Sequence, residues 1–176
     1  QVDFDAAESK LSGYRAWLAA LRPRLGETRL VFTALPAWLR HAAFRELARA
    51  ADGFVLQVHS LEKPAGPAAP FTLCDPVRAV AWARQASAAG VPFRVALTTY
   101  GYVLAFDAAG KFVAISAEGP RRGWAKDTQL RVVRADAGAM ASLARLLQDD
   151  PPAHCTGVIW FRLPVAGDRL NWDATT

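Results

Sequence analysis

An α/β fold built on a parallel sheet is what this sequence predicts, on three observations. Short apolar runs rich in strand formers alternate with longer segments whose apolar residues recur at spacings of three and four. The segments between the runs hold helices of 12 or more residues, enough for the crossover that parallel pairing requires. With 176 residues, 52% of them hydrophobic, the chain has material for one sizeable core, and a single domain over residues 1–176 is the simplest arrangement.

The first run is Gln1-Val2-Asp3-Phe4-Asp5. Its polar residues alternate with Val2 and Phe4, the period of a strand, so Gln1, Asp3 and Asp5 leave one face. Carboxylates two residues apart on a strand lie about 6.5–7 Å from each other, close enough to raise one pKa, which suits acid/base work. The alternative is that the pair sits on a solvated edge strand or caps the next helix. Residues 9–25 then place Leu11, Tyr14, Leu18, Leu21 and Leu25 on one helical stripe, which Pro23 kinks or ends. Residues 29–35 predict a buried strand. Pro36 opens a second helix through Trp38, Leu39, Phe44 and Leu47, closed by Asp52-Gly53.

Residues 54–59 form the third predicted strand. In the following loop, residues 60–74, Pro64, Gly66, Pro67 and Pro70 rule out regular structure, and loops of this length are often binding loops. Asp75 caps a helix opened by Pro76 and stopped by Gly90. The fourth strand covers 93–99. Residues 102–106 and 112–116 flank Asp107 and Gly110 as a β-hairpin insertion. A Gly, Pro and Arg loop spans 118–124, and a short extra strand covers 129–134. Asp136 caps a helix carrying Met140, Leu143, Leu146 and Leu147, ended by Asp150-Pro151-Pro152. The last strand is 157–162, followed by irregular chain over 163–172.

Five strands in the order βαβαβαβ(hairpin)αβ fit the later part of a (β/α)8 barrel, whose usual length of about 250 residues exceeds this chain; a five-stranded open sheet is the alternative. On the barrel reading three strand and helix units precede Gln1. Because Gln1 already lies inside a strand, the chain is expected to be the C-terminal part of a longer protein.

Composition narrows the partners. The net charge of +5 comes from 21 basic and 16 acidic residues scattered along the chain, without the basic run of a nucleic-acid arm. The apolar runs are too short for a membrane span. Cys74 and Cys155 allow one disulfide at most, and the topology places them at opposite ends of the sheet, too far apart to bond. No Gly-rich phosphate loop, Walker lysine, GxSxG elbow or HExxH occurs, and no cofactor is expected.

In either architecture chemistry gathers at the C-terminal ends of the parallel strands. Those ends carry Asp3 and Asp5, Thr33, Gln57 and His59, Thr98 and Tyr100, and Trp160 and Arg162. Such a set suits a sugar: carboxylates for acid/base work, Gln and Arg to hold hydroxyls, and Trp and Tyr to offer flat faces to pyranose rings. The bland alternatives differ by residue. His59 fits a hydrogen-bonded structural role, and Trp160 fits core filling. Arg162 needs a carboxylate partner if buried, which Asp3, Asp5 or Asp168 would supply. A third arrangement has Asp3, Asp5 and His59 hold a divalent metal.

Gln1-Val2-Asp3-Phe4-Asp5, Leu56-Gln57-Val58-His59, Thr99-Tyr100-Gly101-Tyr102 and Gly157-Val158-Ile159-Trp160-Phe161-Arg162-Leu163-Pro164 together resemble an uncharacterised bacterial family carried as a domain of unknown function. Its members look like exported TIM-barrel proteins distantly similar to chitinase-like (family eighteen) glycoside hydrolases. The resemblance implies a domain acting on a polysaccharide or oligosaccharide, an exported or periplasmic location, and a carbohydrate ligand. Laid on the Asp-x-Asp-x-Glu pattern of those enzymes, Gln1 takes the first Asp, Asp3 the one that steers the acetamido group, and Asp5 the proton donor. Trp160 takes the place of the Trp that floors the sugar site. Asp3 and Asp5 are thus the expected catalytic pair, with Gln57, His59, Tyr100, Trp160 and Arg162 binding substrate. A non-catalytic glycan-binding or assembly domain on the same scaffold is the other reading.

Overall fold

A computed structural model describes residues 1–117, 123–164 and 167–173. In chain order its helices are α1 (Leu11–Leu21), α2 (Ala42–Arg49), α3 (Pro76–Ala86) and α4 (Ala137–Asp149). The strands are β1 (Phe32–Ala34), β2 (Phe54–Gln57), β3 (Phe93–Thr98), β4 (Gly101–Phe106), β5 (Phe112–Ser116), β6 (Gln129–Arg134) and β7 (Cys155–Phe161). One sheet has the order β1-β2-β3-β7 and the other β5-β4-β6. The chain divides into two compact units. The first comprises Gln1–Val58, Pro76–Ala96 and Ser142–Ile159, the second His59–Asp75, Leu97–Ala141 and Trp160–Thr176.

The first unit holds the parallel pairing. Phe32 pairs with Phe54 and Phe54 with Phe93 along β1, β2 and β3, which puts three phenyl rings in one row. Phe54 stacks on Phe93 at 5.2 Å between centroids, and Phe44 of α2 meets Phe54 edge-on at 5.3 Å. Leu11, Tyr14 and Leu18 are the buried stripe of α1. The tight approach of β2 to its neighbour explains Gly53: a Cβ there would lie 2.5 Å from the Pro92 carbonyl oxygen. Asp52 beside it accepts hydrogen bonds from the Arg22 guanidinium and, at 2.6 Å, from the Leu30 amide. These hold its carboxyl well below the usual carboxylate range.

Two expectations change here. The strand expected over residues 1–5 is a single parallel bridge between Val2 and Phe32. The Ala6 N–H then donates to the Phe4 carbonyl at 3.0 Å, turning the backbone toward the 3-10 turn Glu8–Lys10 that leads into α1. The helix expected from Pro36 is two pieces, a 3-10 turn Pro36–Trp38 and α2, separated by an extended His41 (φ −89°, ψ 137°). Both sides of the break are anchored. The buried Trp38 indole N–H donates to the Ala6 carbonyl at 3.1 Å, and His41 and Arg40 both meet Glu8. The remaining boundaries move by a few residues. Gly90 is left-handed (φ 71°) where it stops the helix, as its sequence position predicts.

The second unit is organised by β4, with β5 and β6 antiparallel on either side. The hairpin turn is closed by Asp107, whose Oδ1 accepts the Ala109 and Lys111 amides at 3.0 and 2.9 Å, with Gly110 at φ 79°. Gly101 faces β6 so closely that a Cβ would lie 2.6 Å from the Val133 carbonyl oxygen. The loop over 60–74 has no regular structure. It is tied at its base by Ser60 N–H donating to Leu73 O (2.7 Å), and along its length by Arg131 donating to the Pro67 and Ala69 carbonyls. At the start of α4 the Asp136 carboxylate accepts the Ala139 amide at 2.8 Å, the N-cap its position predicts. Residues 118–122 of the predicted 118–124 loop, and 165–166 of the 163–172 stretch, lie outside the described residues.

Candidate functional site

The second unit brings several strand-end residues together. His59, just past β2, is buried, and its Nδ1 lies 3.0 Å from the Tyr100 hydroxyl. The imidazole stacks on Phe161 at 5.4 Å and meets Tyr100 edge-on. The Tyr100 hydroxyl is 3.1 Å from that of Tyr102, which in turn is hydrogen-bonded to the Ser60 hydroxyl. Burial depresses His59 to about 4, so the ring is neutral at pH 7. Burial also raises Tyr100, helped by its hydrogen bond with Tyr102. His59 and Tyr100 form the buried end of this chain, and Tyr102 and Ser60 its partly exposed end.

Trp160 and Arg162, two residues apart at the end of β7, both line a cavity of about 350 Å³ together with Thr99, Ala137, Trp172 and Asp173. Arg162 donates to the nearly buried carboxylate of Asp168 at 2.6 Å, so of the three acids that the sequence offers this guanidinium, Asp168 is a partner. The Thr99 hydroxyl and the Asn171 amide both donate to the Arg162 carbonyl, at 2.6 and 3.1 Å. Trp172 is held just as firmly. Its backbone N–H donates to Thr99 O at 2.9 Å and its indole N–H to Ala135 O at 3.0 Å. The Trp160 and Trp172 rings meet at 5.8 Å with a tilt of 57°, and Trp160 remains 43% exposed.

The other predicted site residues belong to the first unit. Gln1 donates from Nε2 to the Thr33 hydroxyl at 2.9 Å, and Gln57 ends β2 half-buried. Asp3 and Asp5 are both exposed. Phe4 between them is 53% exposed and packs edge-on against Tyr14 and Trp17. Burial, and then the charges of Asp3 and Asp5, push the Tyr14 hydroxyl up to about 12.

Sequence reasoning missed Trp172, Asn171 and Tyr102. Tyr102 had a signal in the Tyr-Gly-Tyr repeat, read as the start of a hairpin and as part of the family resemblance but not as a site residue. Trp172 had one too: an aromatic between Asn171 and Asp173 in otherwise irregular polar chain has no periodic core to fill.

Among the described residues, no group of three or more His, Cys, Asp or Glu could hold a metal ion, so the metal arrangement of Asp3, Asp5 and His59 is set aside. Cys74 and Cys155 are both free. Burial pushes the Cys74 thiol up to about 12, with the Asp75 charge adding to it. No helix of the described residues is long and apolar enough to cross a membrane.

The fold is that of chitinase-like glycoside hydrolases. A chitinase from Chromobacterium violaceum superposes with a TM-score of 0.63 at 18% identity, covering 92% of this chain and 60% of its own. The Bacillus cereus spore cortex-lytic enzyme SleL gives 0.57 at 15% identity, covering 94% and 46%. A glycoside hydrolase family 18 N-acetylglucosaminidase from Paenibacillus barengoltzii gives 0.54 at 13% identity, covering 90% and 61%. The chain thus spans roughly half the length of these neighbours, which at such identities share its fold alone. By sequence it belongs to the family described as Domain of unknown function (DUF3142), which matches residues 1–166. No curated protein matches it.

Proposed function

We propose that this chain is part of a (β/α)8 glycoside hydrolase-like domain that acts on a polysaccharide or oligosaccharide by carboxylate acid/base chemistry. The observation that carries the reading is the cavity beside Trp160, where two indoles, that of Trp172 held by hydrogen bonds, and an ion-paired guanidinium line a space of about 350 Å³. Apolar ring faces beside a few oriented polar groups are what a pyranose needs. Asp5 serves as the general acid that protonates the leaving oxygen, and Asp3 stabilises the positive charge that develops on the sugar ring. Trp160 is the ring platform, and Arg162 and Gln57 contact hydroxyls. His59 and Tyr100, both buried, act through the Tyr102 hydroxyl that they orient.

One observation favours the second reading, a non-catalytic glycan-binding or assembly domain. Asp3 and Asp5 are exposed, and neither has a hydrogen-bond or ion-pair partner among the described residues, whereas a catalytic acid is ordinarily held in place by its neighbours. A single comparison separates the two. Full-length wild type and Asp5→Asn are incubated with chitin, glucosamine and mixed β-linked oligosaccharides. Product from wild type but not from the variant establishes the hydrolase. Binding retained by both, with no product, establishes the module.

A further inference from the structure

Building on the reading of this chain as part of a (β/α)8 domain, we propose that the rest of that barrel closes over one sheet face of the first unit and brings a carboxylate to Arg94. Thr33, Val55 and Arg94 pair in one row across β1, β2 and β3, one residue along from the row of Phe32, Phe54 and Phe93. Successive side chains of a strand leave opposite faces, so Arg94 is on the face turned away from the phenyl rings. That face is hollow. A cavity of about 320 Å³ is lined by Val55, Arg94, Ile159 of β7 and Gln1, which the Val2 bridge sets beside β1. β1 and β7 are the two edges of this sheet, and lining from both edges means that the sheet curls around the space. A barrel interior is such a face closed and filled by side chains.

Arg94 is the odd residue on that face. It is exposed, whereas every other residue of β3 is buried. Its side chain has no hydrogen-bond or ion-pair partner among the described residues. The carboxylate of the lining, Asp52, is committed elsewhere: it accepts from the Arg22 guanidinium and the Leu30 amide, and the cations that act on it are Arg22 and Arg29. Arg29 donates to the Asp52 carbonyl at 3.3 Å and adds a second positive charge to the lining. A guanidinium enclosed in a barrel without an anion is costly, and its planar fork matches a carboxylate. The chain spans roughly half the length of its structural neighbours, which leaves room for strands that carry the acid.

The test compares the full-length protein with its Arg94→Met form by two readouts. One is the rate at which a dicarbonyl reagent modifies Arg94 in the native protein, scored by mass spectrometry against the exposed Arg49 of α2. The other is the urea midpoint at pH 7 and pH 3. Arg94 reacts about tenfold more slowly than Arg49, or slower still. Arg94→Met lowers the midpoint at pH 7 by about 1 M or more. A carboxylate paired with a guanidinium has a depressed pKa, so its stabilisation is present at pH 7 and is lost as pH falls; the gap between wild type and Arg94→Met narrows at pH 3. Neutralising the partner acid in the Arg94→Met background raises the midpoint again and so identifies it. A shielded Arg94 whose gap keeps its full size at pH 3 overturns the ion pair and leaves the barrel standing. An Arg94 that reacts as fast as Arg49, with no midpoint change in Arg94→Met, overturns both. Inorganic phosphate that stabilises wild type but not Arg94→Met assigns the guanidinium to a small anion and overturns the proposal. If Arg94→Met does not fold, the rescue decides: an inward acid whose neutralisation restores folding supports the pair, and rescue by none of them sinks it.

Discussion

The two units close their interiors by different means. The first is packed by rings: Phe32, Phe44, Phe54 and Phe93 touch one another along and beside the parallel strands. The second is knit by hydrogen bonds between side chains and between side chains and loop carbonyls, through His59, Tyr100, Tyr102, Thr99, Arg131 and Asn171. Apolar packing tolerates any residue of suitable volume, whereas a polar network needs particular atoms in particular places. Substitutions among the packed rings of the first unit should therefore change stability alone, and those in the polar network of the second should also change behaviour with pH.

The largest expected effect tests the packing side. Phe54→Ala removes a ring in contact with three others and should cost about 3–5 kcal/mol in urea unfolding, with no change in the pH dependence of stability. A loss below about 1 kcal/mol would break the contrast. Next comes the polar side. His59 is depressed from 6.5 unfolded to about 4 folded, so between those values the unfolded chain binds the extra proton. Its contribution is therefore complete above pH 6.5 and is lost as pH falls toward 4, by roughly 3 kcal/mol at most. Denaturation midpoints from pH 7.5 to 4.5 should fall in wild type and fall less in His59→Asn; parallel curves would remove His59 from the account. Asp136→Ala, which strips the cap of α4, should cost about 1 kcal/mol, read by the same unfolding curves. Smallest is Arg84→Ala. Its 3.3 Å pair with Asp150 is mostly exposed, so the change should stay under about 1 kcal/mol and shrink further in high salt.

Much of this difference was legible in the sequence and some was not. Asp136, Gly90 and the Asp107 turn announce themselves because their signals are local: a carboxylate one step before a helix, a glycine one step after it, an Asp at a tight turn. The Phe row was visible as apolar runs of strand length. The break at His41 was not, since it depends on Trp38 and Glu8 finding partners about 32 residues away in sequence. Asp168 beside Arg162 was within reach because a buried guanidinium demands an acid and few stood near. Trp172 and Tyr102 escaped because their positions follow from hydrogen bonds to Ala135, Thr99 and Ser60, which no periodicity encodes. The pairing of β6 on the side of β4 away from β5 escaped for the same reason.

Arg131 gives the loop over 60–74 a mooring partway along its span, at Pro67 and Ala69. A long flexible segment becomes two short ones, each with less slack to lose. Releasing that mooring with Arg131→Ala should let the segment swing open as a piece, and the thiol of Cys74, silent while covered, would become its clock. In a chain carrying Cys155→Ser, the rate at which Cys74 reacts with a thiol reagent counts the openings, and an unchanged rate would mean that the loop is held elsewhere.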